Sequence, residues 1–136
     1  MAVKNIRRKH DAIRWELDDD MWPGDFSWMD IDQIAERKRS VLIFEGKREL
    51  EGMKNGQRRC LVALSQKPGV VVLIGIGQPP RAIKSFLMLF GEESWEPQVS
   101  IQDFQDIWYH EADHGYPISA ATLLKDYPGY FKKMGV

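Results

Sequence analysis

The sequence predicts a mixed α/β domain. Three observations carry that reading: a tight pair of β-like segments around a charged turn at 36–40, a helical stretch stopped by Pro68-Gly69, and a continuous apolar run from Val70 to Ile76 between turn signals. Helix, strand, strand, helix, strand in succession is the pattern of a sheet covered by helices. The 136 residues make one domain, 1–136. A chain of this length buries roughly two-thirds of its unfolded surface and needs no disulfide or metal to fold.

The elements follow in order. Ile6, Ala12, Ile13 and Leu17 fall at helical spacing among charged residues, which predicts a helix over 3–17. Asp18 to Phe26, with Pro23-Gly24, reads as a loop. Residues 28–35 and 41–47 read as two strands of an antiparallel hairpin, because a turn over 36–40 is too short for a parallel crossover. Met53 to Gln66 is the next helix, with Cys60, Leu61 and Leu64 on one side. Val70 to Ile76 reads as a strand buried on both faces. Ala82 to Phe90 fits either strand or helix. A helix is predicted to begin near Ser100, and a short one over 119–127 with Ser119 as its N-cap.

Composition excludes several classes. The longest apolar run is far too short to span a bilayer, and no apolar stretch follows the basic residues near the start, so neither a signal peptide nor a membrane partner is expected. One cysteine, Cys60, excludes an internal disulfide and a cysteine-based zinc site, and suits a reducing cytoplasm. Net charge is −1, yet it is lumpy: Arg37-Lys38-Arg39, Arg58-Arg59 and Lys132-Lys133 are basic against an acidic Asp18-Asp19-Asp20. Local patches hold phosphates even when the total is near zero.

The sharpest feature lies in the hairpin. Glu45 and Lys47 are two apart on a strand, so they leave the same face, and both end an apolar run, Val41 to Phe44. A buried strand that offers a carboxylate and an ammonium breaks its own pattern, and such breaks fall at functional sites. The preceding strand carries Asp32. A five-residue turn does not set Asp32 opposite Glu45, so a bend or bulge is expected to bring them together. Two converging carboxylates form the hard oxygen site that Mg²⁺ takes, with waters and phosphate filling the rest. An adjacent lysine positions water and offsets phosphate charge. Gly46, without a Cβ, admits close approach to the backbone.

Asp32, followed by Glu45-Gly46-Lys47 after an apolar strand, resembles the PD-(D/E)XK nuclease superfamily, over roughly residues 5 to 77. The resemblance implies a restriction-endonuclease-like core: a mixed sheet in helix–strand–strand–strand–helix–strand order. It implies Mg²⁺, replaceable by Mn²⁺, held by Asp32, Glu45 and the Gly46 carbonyl, with Lys47 assisting the attacking water. Gln57 stands where several branches place a catalytic glutamine on the following helix, and Glu16 matches an acid that some members supply from the first helix. Asp30 competes with Asp32, which is preferred because Ile31 and Ile34 frame it; the proline of the family name is missing here. The implied partner is nucleic acid, most simply DNA, with Lys54, Arg58 and Arg59 as phosphate contacts. Compact members of this kind are frequent in bacteriophage and mobile elements, where the host cytoplasm is the site of action. A non-catalytic nucleic-acid-binding module of the same fold is the alternative, and an oligomer is compatible with either.

A rival motif is His110-Glu111-Ala112-Asp113-His114, which matches H-E-x-x-H. On a helix its histidines would share a face and bind Zn²⁺, with Glu111 as general base of a small zinc hydrolase. Gly115-Tyr116-Pro117 ends the helix at once, and no later histidine follows. A polar helix end is the simpler expectation. The five tryptophans read mainly as packing.

Overall fold

A computed structural model of the chain describes residues 31–47, 55–78, 82–115 and 117–135. The expected first helix over 3–17, and with it Glu16 and Asp30, lies outside the described residues, as does Lys54. Among the described residues there are six strands and three helices: β1 (Gln33–Arg37), β2 (Ser40–Lys47), α1 (Asn55–Ser65), β3 (Val70–Gln78), β4 (Ala82–Phe90), β5 (Glu93–Pro97), α2 (Ile101–Asp113), α3 (Ala120–Asp126) and β6 (Phe131–Lys133). The strands form one sheet in sequential order, β1 to β6. Only β2 and β3 are parallel, joined through α1; every other neighbouring pair is antiparallel. The architecture is therefore α/β with a mixed sheet. The expected order has three strands before the helix; the described residues hold two.

The sheet has a helical layer on each face. On one side Leu42, Val71, Leu73, Phe86 and Met88 pack with Phe104, Trp108 and Ala112 of α2 and with Ala120 and Leu123 of α3. On the other, Ile43, Val72, Ile74 and Leu89 pack with Leu61 of α1. This explains the unbroken apolar runs of β2 and β3: both faces of each strand are covered, so alternation disappears. Glycine is required at one point in this core. A Cβ at Gly75 would lie 2.3 Å from the Phe44 ring, which occupies that space from the neighbouring strand.

The hairpin corrects the expected five-residue turn. Arg37 pairs with Ser40, leaving only Lys38 and Arg39 in the turn, at φ 47° and 73°. Two-residue hairpin turns of this type need positive φ at both positions because their twist matches that of the strands. The turn is anchored from outside. Arg37 Nε donates to Asp113 Oδ1 (3.0 Å), Lys38 Nζ donates to the Asp113 carbonyl (2.8 Å), and the Arg37 guanidinium lies 5.1 Å from the centre of the Tyr109 ring. The basic residues at the tip thus cap the C-terminus of α2, where cations are favoured by the helix dipole.

Ala82 to Phe90 is a strand. Ser100 caps α2 as expected, its hydroxyl accepting from the Asp103 N–H at 3.0 Å. Ser119 stands at the N-cap of α3 but pairs with the Thr122 hydroxyl (3.1 Å) and makes no side-chain bond to the helix backbone. Among the described residues no helix is long and apolar enough to cross a membrane.

Candidate functional site

The short turn sets the register that builds the site. Gln33 pairs with Phe44, and the next step along both strands places Asp32 beside Glu45 with no bulge. The contact is reciprocal. The Asp32 N–H donates to Glu45 Oε1 (3.3 Å), and the Gly46 N–H donates to Asp32 Oδ2 (2.8 Å). The expected bend is replaced by a tighter turn that shifts the pairing. Ile34, expected to frame Asp32 as an apolar wall, is 64% exposed, and Ile31 is exposed as well. Asp32, just ahead of β1 at the edge of the described sheet, is exposed.

Glu45 is the opposite case: 4% exposed, it is the one carboxylate among the buried described residues. Burying a carboxylate is costly unless donors compensate it. Three donors do so here. Besides the Asp32 N–H, Gln57 Nε2 donates to Oε2 at 2.6 Å and Lys47 Nζ forms an ion pair with the same oxygen at 3.5 Å. Lys47 is itself four-fifths buried, its side chain 20% exposed. Gln57 reaches the site because Gln57, Leu61 and Ser65 form an i, i+4, i+8 stripe on the sheet-facing side of α1. Leu61 and Ser65 are buried, which fixes the rotation of the helix.

The structure thus brings together Asp32, Glu45, Gly46, Lys47 and Gln57. Arg58 and Arg59 follow Gln57 on α1. Both are exposed, and Arg58 Nη2 pairs with Glu92 Oε1 (3.1 Å) in the turn after β4. Among the described residues no three of His, Cys, Asp and Glu converge as a metal cluster. Two carboxylates are enough for Mg²⁺, which retains several waters. Hard oxygens on adjacent strands, one exposed and one braced, have the donor chemistry that such an ion takes.

The His110/His114 pair is built differently. Both rings are exposed and stack edge to face, 4.6 Å between centres. His114 Nδ1 bonds the His110 carbonyl (2.7 Å), and Glu111 Oε2 accepts from the Tyr127 hydroxyl (2.7 Å). The helix stops at Asp113, and no third ligand stands with the pair among the described residues. These groups complete the end of α2 and its contact with the segment after α3.

Comparison with protein-family models, with curated proteins and with solved structures found no match for this chain.

Proposed function

We propose that the protein is a metal-dependent nuclease that hydrolyses phosphodiester bonds of nucleic acid, most simply DNA, through a centre of the PD-(D/E)XK type. One observation carries the reading: a carboxylate, Glu45, buried on a core strand and held by Gln57, Lys47 and the Asp32 backbone, with the exposed Asp32 carboxylate beside it. Structural ion pairs belong on surfaces, where they cost little. A fold that buries this group and surrounds it with donors accepts a destabilising arrangement, as functional sites do.

Asp32 and Glu45, with the Gly46 carbonyl, would hold Mg²⁺ or Mn²⁺. The bound ion would supply a polarised water and neutralise charge on the phosphate. The chain's own groups do the rest. Lys47 stands close enough to Glu45 to exchange that partner for a phosphate oxygen, steadying charge as the water oxygen bonds to phosphorus and the phosphorus–oxygen bond to the leaving group breaks. Gln57 keeps Glu45 oriented. The lone Cys60, unpaired in the structure, suits a protein acting in a reducing cytoplasm, the host's if the chain is phage-encoded.

The test is cleavage of single- and double-stranded DNA and of RNA by the purified chain with Mg²⁺ or Mn²⁺. Glu45→Gln and Lys47→Met should each abolish cutting while circular dichroism stays that of the parent chain. Nucleic-acid binding without cleavage of any form would instead identify a non-catalytic module.

A further inference from the structure

The two histidines at the end of α2 take no part in the candidate centre, and their geometry has chemistry of its own. His110 stands in the last turn of the helix, and His114 is its C-cap residue, with φ −75° and ψ −5°. Helical geometry therefore runs through His114, and the imidazoles lie four residues apart on one face. Both are exposed, with ring centres 4.6 Å apart. Two imidazoles bound side by side to one ion, through metal–nitrogen bonds of ~2.0–2.1 Å, have centres about 4.5–5 Å apart. The pair thus has the spacing of a chelate. The tautomer fits as well. A carbonyl only accepts, so His114 Nδ1, 2.7 Å from the His110 carbonyl, carries the proton of that bond. In the neutral ring the lone pair is then on Nε2. Metal-binding histidines are held in the same way, one ring N–H on a carbonyl or carboxylate and the other nitrogen on the ion. The carbonyl end of α2 adds partial negative charge, which favours a cation there.

We propose that His110 and His114 form a site for a first-row transition-metal ion, independent of the nuclease reading. Imidazole selects this class over Mg²⁺, which takes oxygen ligands. Zinc sites use three or four protein ligands. With two, and water in the remaining positions, Cu²⁺ and Ni²⁺ are the ions expected, Cu²⁺ the tighter. Glu111 stands outside the ligand set because its Oε2 accepts from the Tyr127 hydroxyl. The site therefore binds an ion and braces the helix. The ion spans the turn that ends α2 at Asp113, the residue whose side chain and carbonyl hold Arg37 and Lys38 of the hairpin tip. A clip across that turn fastens the end of the helix to which the tip is tied, so binding stabilises the folded chain.

The metal alone is the probe. Calorimetry titrates Cu²⁺ and Ni²⁺ into the full chain and into His110→Gln, His114→Gln and His10→Gln, the last removing the chain's third histidine. Thermal unfolding is then followed with and without Ni²⁺. Each variant is compared with its own metal-free state, because His114→Gln also removes the bond to the His110 carbonyl. The expected result is one ion per chain, Cu²⁺ bound more tightly than Ni²⁺. His110→Gln and His114→Gln should each lose at least about tenfold in affinity, since the second imidazole no longer closes the chelate, and His10→Gln should match the parent. Ni²⁺ should raise the melting temperature of the parent and of His10→Gln and leave that of the other two in place. No binding of either ion at millimolar concentration overturns the site. So does a loss confined to one of the two α2 variants, which identifies a lone imidazole. Equal affinity in all four chains, or an equal loss in His10→Gln, places the ion elsewhere and overturns it too. Binding by the pair without a rise in melting temperature overturns the clip.

Discussion

Gln57 Nε2 lies 2.6 Å from Glu45 Oε2, joining the helix between the two parallel strands to the only carboxylate buried among the described residues. The bond makes the placement of α1 part of the site. Partners of this kind, which orient a metal-binding carboxylate, typically contribute 10–100-fold to metal affinity. Gln57→Ala should therefore raise the Mg²⁺ concentration needed for half-maximal cleavage about 10–100-fold, and Gln57→Glu should be worse because it sets two acids against each other. Titration of activity with Mg²⁺ checks both. An unchanged metal requirement would mean that the bond serves packing alone.

The same cluster makes a prediction about stability with a counterintuitive sign. Glu45→Gln removes a buried charge, and its amide oxygen can accept from the Asp32 N–H while Gln57 turns its own oxygen toward the new NH2 group, so thermal stability should be unchanged or higher while cleavage falls by at least about 100-fold. Lys47→Met, in contrast, removes a partner from a carboxylate that stays buried and should cost about 1–3 kcal/mol. Urea unfolding of the two variants side by side distinguishes a centre held against stability from an ordinary ion pair.

How much of this was legible in the sequence depends on the range of the interactions. Period-two spacing placed Glu45 and Lys47 on one face, and the helical pattern before Pro68-Gly69 put Gln57 on the helix that follows. Both are local. The register that joins Asp32 to Glu45 was not legible, because it follows from a two-residue turn with positive φ at Lys38 and Arg39. Those residues carry none of the Asn-Gly signal such turns show. What supports the turn is Asp113, 75 and 76 residues further on, a contact that no local pattern announces. β4 was ambiguous because a strand buried over its second half has no alternation to distinguish it from a buried helix. β5 and β6 were missed for a related reason: Glu-Ser-Trp-Glu-Pro and Phe-Lys-Lys have little intrinsic strand character and are held by pairing with neighbours.

Gly75 couples the core to the site. The Phe44 ring fills the place of its Cβ, and Phe44 immediately precedes Glu45. Gly75→Ala forces the ring away, and overpacking of this kind typically costs about 1–3 kcal/mol. Because the ring displacement pulls on β2 next to Glu45, cleavage should fall more than stability alone explains. Phe44→Leu in the Gly75→Ala background should recover most of the stability. A double-mutant cycle in urea measures the coupling, which should be favourable and near the size of the single defect.

The contact between the hairpin tip and α2 should govern the acid limb of stability. The Arg37 guanidinium bonded to Asp113 holds its carboxyl below the usual carboxylate range, and Lys38 adds to the effect. A depressed folded-state pKa gives stability that is present in full above the unfolded value of 3.8 and lost as pH falls through the folded value. Asp113→Asn should thus lower stability near neutral pH and make no difference in strong acid. Since the tip sets the register of Asp32 against Glu45, the same variant should lose activity at neutral pH. Unfolding curves for the two chains from pH 6 to pH 2 should converge; parallel curves would show that the ion pair contributes nothing.

The alkaline limb should report Tyr127. Its hydroxyl donates to Glu111 Oε2, and that bond with the carboxylate, together with burial, raises the phenol to about 12. A free tyrosine titrates near ~10. Here the folded value lies above the unfolded one, so the stabilising effect is complete below pH ~10 and is lost as pH rises through about 12. Phenolate absorbance should therefore show one tyrosine ionising late, near pH 12, and Glu111→Gln should bring that titration down toward ~10 because the amide accepts the bond without repelling the phenolate. Glu111 then acts as a brace between α2 and the segment following α3, and the variant should leave metal-dependent cleavage at neutral pH unchanged. If Glu111→Gln instead abolished a zinc-dependent hydrolysis while the tyrosine titration stayed in place, the acid of the His110–His114 motif would be chemical, and the assignment of the reacting centre to Asp32 and Glu45 would fall with it.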